Sequence, residues 1–347
     1  MNIRERLEAF WAGEKPDKIP YTIYHNEWRH AANEPDWIPM FAAGLGVVYH
    51  VPTVNFYRKN IEYITDTYRK EGKVIQREVL ETPLGNIYAL SREGWMQKYW
   101  LETAEDYRIM TYIVENTELE PCYEGFLEVE QEVAPYGIPL VALGRTPMQR
   151  MLVDFAGLEN FALHLYELED AVMTLYEALL EQFARAVEIV AAGPGRFVSV
   201  LENFTAETLG PARFGRFHIP LYEKYFPVLQ QSGKVVGTHY DGKLSSCRDL
   251  IAKAPIDVIE SLTIPPEGDM TLAECREAWP DKLFWCNINV SHYDLPPDEL
   301  KQVVWDMTRQ GTQDGRRLAF EVSEHIPRNW RQSIPVILQV LDEIGNG

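Results

Sequence analysis

Short apolar runs recur along the chain, each closed by turn residues. They read KIPYTIYH (18–25), GLGVVYHV (44–51), IPLVALGR (138–145), RFVSVLEN (196–203), KVVGTHYD (234–241), IDVIESLT (256–263), KLFWCNIN (282–289) and RLAFEVSE (317–324). Their length and β-branched content predict buried strands. Helical patterns alternate with the later runs. Residues 168–192 place apolar and charged side chains at helical spacing, and 296–310 open on Pro and an acidic first turn. Strand–helix alternation predicts a parallel sheet, and eight units predict closure into a barrel rather than an open sheet. An open dinucleotide-binding sheet would carry a Gly-rich turn after its first strand, and none follows Tyr24.

The segment 73–102 breaks the alternation. It reads as antiparallel strands around the turn sequence PLGN, an insertion at the barrel mouth. No internal repeat, low-complexity tract or Pro/Gly/Ser linker divides the chain. The expected fold is α/β: one TIM (β/α)8 barrel domain over residues 1–347, with N-terminal helices and an antiparallel β insertion near 73–102.

Composition narrows the function. The 347 residues are 46% hydrophobic and carry a formal charge of −19. That balance opposes nucleic acid and an anionic membrane surface, both of which need a basic face. Cys122, Cys247, Cys275 and Cys286 form no CxxC pair, which predicts a reducing, cytoplasmic setting. The N-terminal stretch is amphipathic without a signal-peptide core, and no apolar run is long enough to span a membrane.

In such a barrel the chemistry lies at the C-terminal strand ends. Those ends carry His25 with Asn26, Glu27 and Arg29; Gly144, Arg145 and Thr146; Glu202 and Asn203; His239 and Asp241; Glu260; Asn287 and Asn289; and Glu321, Glu324 and His325. His239 and Asp241, two residues apart, share one side of a strand. A His with two or three carboxylates can hold zinc, iron or manganese. Each residue also has a plainer reading: a hydrogen-bonded structural His, a Glu324 that caps a turn, a Glu260 paired with Lys253. Glu202, with Tyr240 as a second candidate, equally offers the acid of a metal-free mechanism.

The order and spacing of these segments resemble the uroporphyrinogen decarboxylase superfamily over nearly the whole chain. DKIPYTIYHNEWRH is similar to its DR-x-P entry into the first strand. LGRTPMQRMLVDFAG is similar to its Gly-x-x-Pro segment after the third. LENFTAETLGPARFGRFHIPLYEKYF is similar to its acid followed by an F-x-x-P helix, and GTHYDG, CNIN and SEHIP to its later turns. The resemblance implies a TIM barrel and two possible chemistries. True decarboxylases use no metal and present an Arg-rich first strand. Here a His stands at position 25, and only Arg29 matches. The other branch holds methyltransferases that work with corrinoid proteins. Its thiol-methylating members bind zinc through His-x-Cys and a later Cys, which carries over to His239, Asp241 and Glu324, with Glu260 as a fourth position.

Replacing thiolates by carboxylates makes such a site harder and more Lewis acidic, suited to polarising an oxygen. This reading expects a methyltransferase that moves a methyl group from a small methoxylated substrate, methoxylated aromatics included, to a separate corrinoid protein. Zinc or another divalent metal would be held by His239, Asp241, Glu324 and Glu260. His25, Arg29, Arg145, Asn203 and Asn287 would contact substrate. No Asp-x-His-x-x-Gly cobalamin signature occurs, so the corrinoid would come with a partner. The alternatives are a metal-independent decarboxylase of a porphyrinogen-like or smaller acid using Glu202, Arg29 and Arg145, and a ligand-binding barrel without chemistry. The oligomeric state stays open, a homodimer included.

Overall fold

The computed structural model describes residues 1–24, 35–322 and 326–345. In chain order the strands are β1 Tyr21–Tyr24, β2 Leu45–Val51, β3 Val54–Arg58, β4 Glu62–Lys70, β5 Lys73–Thr82, β6 Gly85–Arg92, β7 Trp95–Lys98, β8 Thr117–Pro121, β9 Gly137–Gly144, β10 Phe197–Val200, β11 Val235–His239, β12 Val258–Leu262, β13 Leu283–Ile288 and β14 Leu318–Val322. The chain forms two compact units.

The first unit comprises residues 1–53, 122–144 and 191–347. It contains a closed parallel barrel in the order β1-β14-β13-β12-β11-β10-β9-β2, with β2 pairing back to β1. These are the eight apolar runs of the sequence, most of them shorter at one or both ends, with β9 beginning one residue earlier at Gly137. A helix follows most of the later strands, including Ile219–Gln231 after β10, Pro297–Gly311 after β13 and Trp330–Gly345 after β14.

The N-terminal helix α1, Ile3–Trp11, starts on a capping box between Asn2 and Glu5. Its Ile3, Leu7, Phe10 and Trp11 join Val48, Leu140, Phe197, Val235, Val258, Leu283, Trp285 and Ala319 in one buried cluster. Trp11 stacks on Phe197 at 5.0 Å, and Trp285 meets that ring edge-on at 5.5 Å. Each such side chain contributes about 1.5–3 kcal/mol on burial. Gly237 is small because Phe197 lies over it. A Cβ there would sit 2.3 Å from the ring's Cζ.

The second unit comprises residues 54–121 and 145–190, which interrupt the barrel sequence on either side of β9. Its four-stranded antiparallel sheet runs β4-β5-β6-β7, and β3 pairs antiparallel with β8. The predicted insertion is therefore present, and it begins earlier than position 73. β4 is exposed along nearly all its length, so it carries no apolar pattern to read. Leu80, Ile87 and Ala89 bury one face of the sheet and Val79 is buried on the other, and the helix Ala104–Glu115 buries Tyr107, Ile109, Met110, Ile113 and Val114. Among the described residues no helix is long and apolar enough to cross a membrane.

Candidate active site

The barrel interior changes from apolar to polar toward its C-terminal end. Alternate residues of a strand share a face, so counting in twos from core residues finds the next layer. Phe197 leads to Ser199, Val235 through Gly237 to His239, and Val258 to Glu260. Trp285 leads to Asn287, Ala319 to Glu321, and Val48 to His50. Register confirms the layer: His239 lies beside Glu260, and Glu321 beside both Asn287 and Thr22. Ser199, His239, Glu260, Asn287 and Glu321 are all buried.

Glu260 is held on both oxygens. His50 Nε2 lies 3.3 Å from Oε1, and the Ser199 hydroxyl donates to Oε2 at 2.6 Å. Tyr24 stacks against His50 at 5.6 Å. Burial alone would raise the Glu260 pKa. The His50 hydrogen bond and charge, the His239 charge and the Ser199 bond outweigh it, so the pKa is lowered.

Glu321 is the counterpart. Burial, then the neighbouring Glu260 charge, push its pKa up to about 8, so it is protonated at neutral pH. Its Oε1 accepts the Ser261 N–H at 3.0 Å and the Ser261 hydroxyl at 3.1 Å. Ser261 reaches it from a register shift between Glu260 and Leu262, where its φ is +56°. Non-glycine residues enter that region only when their surroundings enforce it. The Tyr24 and Ser261 hydroxyls are 3.0 Å apart. Two carboxyl groups thus share one barrel end in opposite protonation states, the pattern that separates an acid from a base.

His239 Nε2 is 3.6 Å from Asp241 Oδ2, which also accepts the Asn203 amide at 3.2 Å. Asn203 adopts φ +47°. Burial would lower the His239 pKa, but the Asp241 bond and the charges of Glu260 and Asp241 raise it overall. Asp241 is lowered: burial opposes ionisation, and the His239 bond and charge with the Asn203 bond outweigh it.

Two donors on one tetrahedral ion, at bond lengths of about 2.0–2.2 Å, stand about 3.3–3.6 Å apart. The His239–Asp241 pair therefore has the spacing of neighbouring ligands. Among the described residues no set of three or more His, Cys, Asp or Glu is gathered for an ion. Both Glu260 oxygens are engaged by His50 and Ser199. The third expected ligand, Glu324, lies outside the described residues, as do His25 and Arg29.

Other expected residues sit elsewhere. The Glu202 carboxylate is fully buried and accepts the Tyr222 hydroxyl at 2.7 Å. Tyr240, also fully buried, donates to Tyr222 at 3.1 Å. Both lie just beyond the last residues of β10 and β11, and their hydrogen bonds run to Tyr222 on the helix Ile219–Gln231. Arg145 belongs to the second unit and pairs with Asp154 at 3.0 Å. Asn287 stays in the polar layer, where its amide donates to Ser261 O and Thr263 Oγ1, each at 3.4 Å. Sequence reasoning missed His50, Ser199, Ser261 and Tyr24 as site residues, and it noted Glu321 without giving it a role. Counting in twos from Val48 and Phe197 would have found the first two.

Comparison with protein families and with curated proteins finds no match. Solved structures do match. A methyltransferase from Methanosarcina mazei superposes with a TM-score of 0.61 at 11% identity, over 99% of this chain and 99% of its own. A B12-independent methionine synthase from a Shewanella species, in complex with selenomethionine, gives a TM-score of 0.42 at 13% identity over 96% of this chain and 95% of its own. The match to the archaeal enzyme shows a shared fold, a TIM barrel, as the sequence resemblance implied.

Proposed function

We propose that this chain is a metal-dependent methyltransferase that takes a methyl group from a small methoxylated compound and passes it to a separate corrinoid protein. The observation that supports it most is the His239–Asp241 pair, at ligand spacing, in the same barrel end as one ionised and one protonated carboxyl group. The chemistry needs those parts. When the methyl carbon–oxygen bond breaks, the oxygen keeps the electron pair and must be protonated or have its charge stabilised. A divalent ion on His239 and Asp241, with Glu324 as third ligand, would supply Lewis acidity at that oxygen. Glu321 offers a proton, and its Oε2 is buried with no hydrogen-bond partner among the described residues. Glu260 keeps its charge beside His239 and balances positive charge there. The fold shared with the Methanosarcina methyltransferase is compatible with this reading.

The test joins metal to turnover. Elemental mass spectrometry of the untagged protein is expected to find about one divalent ion per chain, and His239→Ala to lose it. Methyl transfer from 2-methoxyphenol to reduced cob(I)alamin, followed by visible absorbance, should disappear in the same variant. Full metal occupancy in His239→Ala would overturn the ligand assignment. Turnover that survives exhaustive chelation would overturn the metal-dependent mechanism.

A further inference from the structure

The second unit contains a cavity of about 470 Å³, within the size range of small-molecule sites. Leu80, Met110, Ile113, Val114 and Phe155 give it a buried apolar floor. Phe56 and Tyr63, about half exposed at 48% and 50%, stand among its lining residues.

Two arginines, Arg58 and Arg150, also line it. Arg150 Nη1 donates to the Gln182 amide oxygen at 2.8 Å, and its guanidinium lies 5.0 Å from the Phe155 ring centroid. Gln182 is itself fixed by donating to Val114 O at 3.4 Å. A neutral amide, not a carboxylate, therefore orients this cation. The acid nearest it in sequence, Asp154, pairs with Arg145 at 3.0 Å. Burial disfavours the Arg150 cation most, the Asp154 charge favours it, and Arg58 adds a like charge against it. Among the described residues the one carboxylate lining the cavity is Glu78, which accepts the Tyr63 hydroxyl. Two guanidinium groups against one carboxylate leave net positive charge over an apolar floor, in a chain whose formal charge is −19.

A pair of like charges facing a cavity is unfavourable unless an anion joins it. Guanidinium groups match a carboxylate in shape and donor geometry. An apolar floor with Phe155, and aromatic Phe56 and Tyr63 in the lining, suits a flat ring. We propose that this cavity binds a small aromatic carboxylate, with the ring on the apolar floor and the carboxylate between Arg58 and Arg150. None of its lining residues belongs to the proposed methyl-transfer centre, and the proposal does not depend on that reading.

Isothermal titration of the full chain with benzoate tests it, with benzamide as a neutral ligand of the same shape. Benzoate carries no methyl ether, so the result is independent of turnover. Benzoate should bind saturably, and benzamide about tenfold more weakly, the loss of one charge-assisted pairing. Arg58→Gln, at an exposed position, should weaken benzoate by a similar factor without disturbing the fold, and Arg150→Gln by at least as much. His239→Ala should bind benzoate as the native chain does. Equal affinity for benzoate and benzamide would overturn the proposal. So would benzoate binding retained in Arg58→Gln and Arg150→Gln but lost in His239→Ala, or no saturation at millimolar benzoate.

Discussion

Replacing Glu321 by Gln isolates the protonated carboxyl group of the barrel end. The ordinary value for this group is 4.5, and burial and Glu260 push it up to about 8 in the folded chain. Between those values the folded state holds a proton that the unfolded state has released. Stability therefore falls as pH rises through this window, by about 1.4 kcal/mol per pH unit at most. For a chain of 347 residues that slope corresponds to about 2 °C in Tm per pH unit. Gln keeps the carbonyl oxygen that accepts the two Ser261 bonds, and its amide takes the place of an oxygen without a partner among the described residues. It cannot ionise.

The Tm of Glu321→Gln should therefore gain on the native chain by about 2 °C for each unit between pH 5.5 and 7.5. His239, whose pKa is raised, contributes stability that is complete below pH 6.5 and lost above its folded value. That dependence runs in the same direction and stays in the variant. Glu260, whose pKa is lowered, contributes stability that is already present throughout the window. Calorimetric scans of both proteins with chelator across this range make the comparison. A Tm difference that does not change with pH would refute the assignment of Glu321 as the protonated member.

Gly237→Ala should cost about 1–3 kcal/mol by overpacking. Its Cβ would stand 2.3 Å from a Phe197 ring already stacked on Trp11, and a lower urea midpoint with unchanged m-value would report it. Tyr222→Phe removes a 2.7 Å hydrogen bond to the buried Glu202 carboxylate and the acceptor of the Tyr240 hydroxyl. It should cost about 1.5–3 kcal/mol, and thermal unfolding at the native Tm would contradict that.

The eight barrel strands were legible because each is a short apolar run between turn residues, and a parallel barrel buries its strands on both faces. The His239–Asp241 pair was legible because it ends such a run. What strand ends alone could not supply was facing. Glu202 and Tyr240 lie just past the strand ends, where the two-residue alternation no longer fixes direction, and they turn toward Tyr222. Ser261 was not legible at all. It turns toward Glu321 through a local register shift, and nothing in IDVIESLT marks a left-handed residue. β4 escaped because its exposed, polar strand has no buried face to pattern. The cavity around Arg58 and Arg150 joins segments distant in sequence, and no motif spans them.

The polar layer also argues for chemistry from energetics. Directly beneath it, Trp11, Phe197 and Trp285 form a rigid apolar floor. A barrel built only for stability would continue that packing to the mouth with branched aliphatic residues. Here Glu260 and Glu321 are both buried, at 0% and 1% exposure. Burying an ionised carboxylate costs several kcal/mol before pairing, and a second one beside it adds repulsion. The fold meets the first cost with His50 and Ser199. It avoids the second by keeping Glu321 protonated on a strained Ser261. Hydrophobic side chains of similar volume would remove both costs, so the pair is a feature that folding alone does not explain. A proton donor and a fixed negative charge beside the His239–Asp241 pair are what the proposed reaction, with its oxygen leaving group, would use.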